Sequence, residues 1–308
     1  MNFNKIIIII LLLFFDIFFR AIILYKKKEK EKKSISINPY FSKNLYEKLL
    51  FMRHGKTTFN DASYNISSQV NPNYSDCKLS KTGVNQAKSK QKILNSLSLE
   101  KVYVSPFYRA LQTLTYSLKN HPNKNNIIAL VHPLLSEISN CVNDYILNIK
   151  QTKKDFNLKS IIKIDWSLFD EYTKRKKYDQ NFYYFDYFDC LDKKEKYKLY
   201  LKIKNYYDNG DIKKYKNGLS ELAKIRLDKN KNFESLKHAQ SRFIKFVDYI
   251  KKNHKKSIQN KYKKILAFSH GFFMMVATNM TSYKSKSIQN FHHNCYLPQN
   301  CEILSYII

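Results

Sequence analysis

Four short polar segments lie far apart in the chain, and each follows a short apolar run: Arg53-His54-Gly55, Ser105 with Arg109 four residues on, Glu137, and Ser269-His270. Guanidinium, imidazole and hydroxyl groups are the donors that hold a phosphate, and a carboxyl is the group that trades a proton with a leaving oxygen. One Arg-His-Gly is a weak signal, and an isolated histidine is more often structural. Four segments that agree in chemistry and in position point to a single anion site.

The elements that would position these groups can be read from the pattern. A buried strand over Lys48–Met52 stops at Arg53-His54-Gly55. Leu79-Ser80-Lys81-Thr82-Gly83 opens a helix to about Leu97, with Ser80 or Thr82 as its cap. The strand Lys101–Val104 ends in Ser105-Pro106, which reads as a capped helix start and puts Arg109 in or just after the first turn, where backbone amides favour an anion. A third strand over Ile127–Val131 precedes Leu134-Leu135-Ser136-Glu137. A helix over about Leu236–Asn253, the strand Lys264–Ser269, a helix over Phe272–Asn279 and a last strand over Glu302–Ile307 complete the set. Strands alternating with helices imply an α/β fold, a three-layer α/β/α sandwich with a mostly parallel sheet, whose ligands sit beyond the carboxyl ends of the strands. The segment from about 141 to 232, rich in lysine and aromatic residues, reads as a largely helical insertion that covers the core, with its aromatic clusters packed against the main body.

The 308 residues are 44% hydrophobic, enough for a proper core, and carry a formal charge of +30. Lysine, asparagine, isoleucine, tyrosine and phenylalanine are raised together, so the charge reads as a compositional bias spread over the surface. No zinc-finger, basic-zipper or RNA-recognition pattern is present, and no specific nucleic-acid partner is expected. The five cysteines have no close C-x-x-C spacing, so neither a disulfide framework nor a thiolate metal site is indicated.

From Ile6 to Leu24 the chain is apolar over about the length that spans a bilayer, interrupted by Asp16 and Arg20. With no small-residue cleavage site before the basic run from Lys26 to Lys33, residues 1–25 read as an uncleaved membrane anchor and 26–45 as a basic polar linker. The lysine excess behind the segment would place the domain at 46–308 on the cytoplasmic side of a membrane, with the secretory pathway as the alternative.

The motifs Arg53-His54-Gly55-Lys56-Thr57-Thr58-Phe59-Asn60, Leu79 to Ala87, Ser105 to Thr113, Leu135-Ser136-Glu137, Glu234-Ser235 and Ser269-His270-Gly271 occur in one order. In this the chain resembles the histidine phosphatase superfamily, in its phosphoglycerate mutase-like branch. The resemblance covers about 46–140 and 232–308. It implies that His54 is the nucleophile that accepts phosphorus, that Arg53, Arg109, His270 and Gly271 belong to the phosphate site, and that Asn60 adds a donor. Two guanidinium groups would hold His54 neutral, with its second ring nitrogen on a backbone carbonyl near Gly55. Some relatives place an aspartate after the second histidine. Here that position is Gly271, so the acid/base role falls to Glu137. No metal or cofactor is expected.

The residues after Glu137, Ile138-Ser139-Asn140-Cys141-Val142, lack the substrate-binding signature of glycolytic mutases, so a phosphomonoester hydrolase acting on a small phosphorylated molecule or phosphoprotein is preferred. A phosphoglycerate-type mutase and a membrane-tethered inactive binding protein of the same fold are the alternatives.

Overall fold

The computed structural model describes residues 41–43, 45, 47–62, 65–139, 141–229, 233–255, 260, 262–278 and 296–307. Seven strands form one sheet: β1 (Phe41–Ser42), β2 (Leu49–Arg53), β3 (Ser98–Val104), β4 (Ile128–Val131), β5 (Lys163–Asp165), β6 (Lys263–Ser269) and β7 (Ile303–Tyr306), in spatial order β1-β7-β2-β6-β3-β4-β5. β2, β6, β3, β4 and β5 run parallel, and β7 is antiparallel to both β2 and β1.

Successive side chains of a strand point to opposite faces, and the apolar residues sort accordingly. Leu50, Met52, Val102, Val104, Leu266 and Phe268 enter one core; Leu49, Phe51, Tyr103, Ile265 and Ala267 enter the other. Both faces are therefore buried, which is why these strands read as continuous apolar runs. Helices α1 (Lys81–Ser89) and α2 (Tyr108–Leu118) supply Ala87, Ala110, Leu111 and Leu114 to the first core. Between Ile149 and Asp228 the chain forms α3 (Ile149–Lys159), α4 (Ser167–Lys174), α5 (Lys193–Asp208) and α6 (Ile212–Asp228). Then α7 (Leu236–Asn253) and α8 (Gly271–Thr278) cover the second core with Phe243, Phe246, Phe273 and Met274. The result is the three-layer α/β/α sandwich with a mostly parallel sheet.

The insertion is largely helical, and Phe182, Tyr183, Tyr184 and Phe185 are buried in continuity with the first core. It is more than a cover, because β5 adds a parallel strand to the sheet edge beside β4. Phe41–Ser42, which the sequence reading leaves in the linker, pair with β7.

Two boundaries move for physical reasons. The helix expected to run from Ser80 to Leu97 stops at Lys90, whose amide bonds back to Ala87 and Lys88, and a short turn of helix over Gln91–Asn95 follows. The helix expected to start at Ser105-Pro106 begins at Tyr108 instead: the Ser105 hydroxyl is turned to His270 at 2.7 Å and accepts only the Phe107 amide, at 3.5 Å. Its capping role passes to Asp76, whose carboxylate accepts the Tyr108 amide at 3.1 Å.

The expected single-pass anchor and the membrane localisation built on it are corrected: no helix among the described residues is long and apolar enough to cross a membrane. The stretch Ile6–Leu24 itself lies outside the described residues.

Candidate active site

Parallel pairing brings the polar strand ends together. Arg53 on β2 is in register with Ser269 on β6, and Val104 on β3 is in register with Phe268 on β6 and Val131 on β4. The ladder runs one residue past each end, with the His54 amide on Ser269 O at 3.0 Å and the Ser105 amide on Phe268 O at 3.0 Å. His54, His270 and Ser105 therefore leave three adjacent strands at one level. Residues 165 positions apart meet directly in the 2.7 Å contact of His270 Nε2 with Ser105 Oγ.

His54 is buried, and its Nδ1 lies 2.8 Å from the Gly55 carbonyl. Nδ1 must donate in that contact, so in the neutral ring the Nε2 lone pair is free to attack. The rings of His54 and His270 lie 5.2 Å apart between centroids. Arg53 Nη1 donates to Pro298 O at 2.6 Å, while Arg109 donates from Nη1 to Asn143 O at 2.7 Å and from Nη2 to Asp144 Oδ1 at 3.1 Å. Three buried nitrogens remain without a partner: Arg53 Nε, Arg109 Nε and His270 Nδ1. Buried polar atoms are almost always paired. Three orphans in one cluster of cationic and imidazole groups are chemically suited to receive an anion.

Glu137 stands beside this cluster. Its Oε1 accepts the Ile138 and Phe273 amides at 2.9 and 2.8 Å, and its Oε2 accepts the Phe272 amide at 3.2 Å. The first turn of α8 thus holds the carboxyl group in place. Burial, and then the Asp144 charge, push its pKa up to about 7, opposed by Arg109 and by the Ile138 and Phe273 amides. His54 moves the other way. Burial is the largest cause of its lowered pKa, followed by Arg109 and Arg53, so the guanidinium groups named in the sequence reading are the second cause. His270 is also held well below its ordinary value, by burial first and then by Arg109.

Gly271 matters for what it lacks. A Cβ there would lie 2.8 Å from Arg53 Cζ, so only glycine lets that guanidinium pass. Gly83 plays the same part for the loop after β2, since a Cβ on it would meet Lys56 O at 1.9 Å. Asn60 is less directly connected: its Oδ1 accepts from the Thr57 amide and hydroxyl in a helix-capping box, which leaves only its amide nitrogen to face a ligand. Among the described residues no group of three His, Cys, Asp or Glu side chains is placed to hold a metal ion.

Sequence reasoning missed several supports. Asp144, three residues past Cys141 in the insertion, forms the buried ion pair with Arg109. Thr113 accepts the Gly55 amide at 3.0 Å and donates to Arg109 O at 2.7 Å, tying α2 to the His54 loop. Glu234, the cap-side acid of α7, grips Arg242 through two bonds of 2.6 and 2.8 Å. Arg242 in turn donates to Leu134 O and Ser136 O at 2.8 and 3.0 Å, clamping the backbone that carries Glu137. The Glu234-Ser235 motif just before α7 was the available signal, and it reveals neither Arg242 nor the carbonyls the arginine reaches.

Glu234→Gln is expected to leave the buried Arg242 charge uncompensated, costing roughly 3–5 kcal/mol of stability. It should also lower kcat about tenfold to a hundredfold by loosening the Glu137 loop. Thermal melts and steady-state kinetics on the purified variant check both, and an unchanged melting temperature would refute the clamp.

Residues 49–142 match the family model described as histidine phosphatase superfamily (branch 1). Over these residues the chain is similar to that superfamily, as its motifs implied, and this similarity supports phosphatase or mutase activity in general. No curated protein sequence matches the chain. Among solved structures, mycobacterial glucosyl-3-phosphoglycerate phosphatase complexed with VO3 is similar at 12% identity and a TM-score of 0.42, over 83% of this chain and 90% of its own. Phosphoglycerate mutase from Bacillus anthracis aligns at 14% identity and 0.39, over 84% and 91%. Phosphoserine phosphatase from Entamoeba histolytica, solved with 3-phosphoglyceric acid, aligns at 15% identity and 0.39, over 85% and 94%.

Proposed function

We propose that this protein is a phosphomonoester hydrolase that works through a phosphohistidine on His54, within one domain at 46–308 that carries the insertion at 141–232. The observation that carries the reading is the cluster of three unpartnered buried nitrogens, Arg53 Nε, Arg109 Nε and His270 Nδ1, around a neutral imidazole.

In this reading Arg53 and Arg109 neutralise the phosphate oxygens, and their charge remains at any working pH. His270 donates from Nδ1–H, its Nε2 accepting the Ser105 hydroxyl proton. The His54 Nε2 lone pair forms the N–P bond as the P–O bond to the alcohol breaks, and the protonated Glu137 gives its proton to the departing oxygen. Glu137, now a carboxylate, takes a proton from water. The hydroxide oxygen bonds to phosphorus, the N–P bond breaks, inorganic phosphate leaves, and His54 returns to its neutral form.

The test is turnover of p-nitrophenyl phosphate by the full chain, with equimolar nitrophenol and inorganic phosphate and a phosphoenzyme labile to acid on denaturation. A protein that releases no phosphate from this ester or from alkyl phosphates is not a phosphatase.

A further inference from the structure

Beside the second core lies a hollow of about 460 Å³ that none of the phosphate-site groups lines. That volume is in the range of small-ligand sites. Leu168, Tyr172 and Lys176 follow one another at intervals of four along α4 and just past its end, and Lys245 and Tyr249 do the same on α7, so each set presents one side to the hollow. Leu168, Tyr172 and Tyr249 pack partly buried against the second core, and Leu134 is buried in it. His132, which follows the end of β4, completes the floor. It is 6% exposed, with its ring 5.0 Å from that of Tyr249 and 5.2 Å from that of Phe246 between centroids.

The polar edge of His132 is the unexplained feature. The Leu134 amide donates to its Nδ1 at 3.3 Å, so in the neutral ring the hydrogen sits on Nε2. Burial lowers the pKa of the ring to about 3, which keeps it neutral near pH 7. The Nε2 hydrogen meets no acceptor among the described residues, yet Nε2 is not sealed off as Arg53 Nε, Arg109 Nε and His270 Nδ1 are. Its open side is the hollow that the residue lines. A donor on a side chain this deeply buried is rarely left without an acceptor. The rim gives the sign of the missing partner. Arg175 is matched by Glu171 at 2.5 Å, but Lys245 has no ion pair among the described residues, and the Lys176 amine lies over the Tyr172 ring at 4.7 Å without a carboxylate. A neutral N–H donor and two uncompensated cations therefore stand around an apolar floor.

We propose that this hollow binds a small amphipathic anion, an oxyanion head on an alkyl or aromatic body. The His132 N–H and the Lys176 and Lys245 amines receive the head, and Leu134, Leu168 and Tyr249 receive the body. A neutral amphiphile would satisfy His132 and leave the lysines unanswered, and a cationic one would be repelled. The site lies outside the His54 chemistry, so the inference stands apart from the phosphatase reading.

The test is calorimetric titration of the full chain with decanoate, decylphosphonate, decanol and decyltrimethylammonium, with and without excess methylphosphonate to fill the phosphate site. Decanoate or decylphosphonate should bind saturably, about tenfold or more tighter than decanol or decyltrimethylammonium, because the anionic head adds charge-assisted hydrogen bonds. The tighter of the two anions identifies the head group, and methylphosphonate should not displace it. Leu168→Trp, which fills the hollow from a half-buried wall, should abolish binding. The double variant Lys176→Glu with Lys245→Glu changes only exposed side chains and should weaken binding by about tenfold. His132→Phe keeps the ring and removes the N–H, and should weaken it by a similar factor while the melting curve shows it folded; if it does not fold, the other two variants decide. Absence of saturable binding by either anion overturns the proposal. So does equal binding of decanol, displacement by methylphosphonate, or an affinity unchanged in Leu168→Trp, in the double lysine variant or in folded His132→Phe.

Discussion

Replacing His54 with alanine is expected to lower kcat/KM for phosphomonoesters by about 10⁵- to 10⁶-fold, the size of loss seen when a covalent nucleophile is removed from a group of residues acting as a unit. The ring is fixed at Nδ1 by the Gly55 carbonyl in buried surroundings, and alanine offers no nucleophile in its place. Stability should change little, since the variant removes a ring held neutral at a cost in solvation. The measurement is a pair: single-turnover release of phosphate, and trapping of a labelled phosphoenzyme. Loss of both with a native melting curve is the expected result. Label retained in His54→Ala would place the covalent step on another residue and remove the basis of the mechanism above.

Glu137→Gln comes next in size. General acid catalysis contributes about 10² to 10⁴ in rate, and the demand depends on the leaving group. The variant should therefore be hurt most with alkyl phosphates and least with nitrophenyl phosphate, whose oxyanion leaves without a proton. In the wild type the acid must be protonated and its pKa stands near 7, so kcat/KM for an alkyl ester should fall as pH rises through about 7. Glu137→Gln should flatten that limb. His54 adds no acid limb until well below its ordinary range, because its own pKa is lowered.

The same shift has a consequence for stability with a defined sign. A carboxyl raised in the folded state favours folding fully below its ordinary value of 4.5, and this contribution is lost as pH rises through about 7. Glu137→Gln should melt above wild type near pH 8.5 and together with it near pH 4. Equal melting temperatures at both would mean that Glu137 is not held neutral by its surroundings.

The local pattern carried much of this. Arg53-His54, Ser269-His270 and the position of Arg109 at a helix start follow from short apolar runs ended by polar residues. The boundaries of α7 were legible because Ser235 caps it and its apolar stripe is regular. The start of α2 was not, because Ser105 had two possible partners and the stronger one is 165 residues away. The cap at Asp76 and the anchor at Asp144 were invisible for the same reason: each acts on an arginine or an amide that only the folded chain brings near.

By itself the sequence determined the order of the central strands and the helices between them, though not β1 or β5, together with the two-sided burial of the sheet and the four polar strand ends, since periodicity and caps are properties of near neighbours. Tertiary structure decided which of those ends are adjacent, that Arg109 is braced from the insertion, and that Glu137 lies on the α8 amides with a raised pKa. Desolvation and ion pairing depend on distances across the fold, and separation along the chain does not encode them.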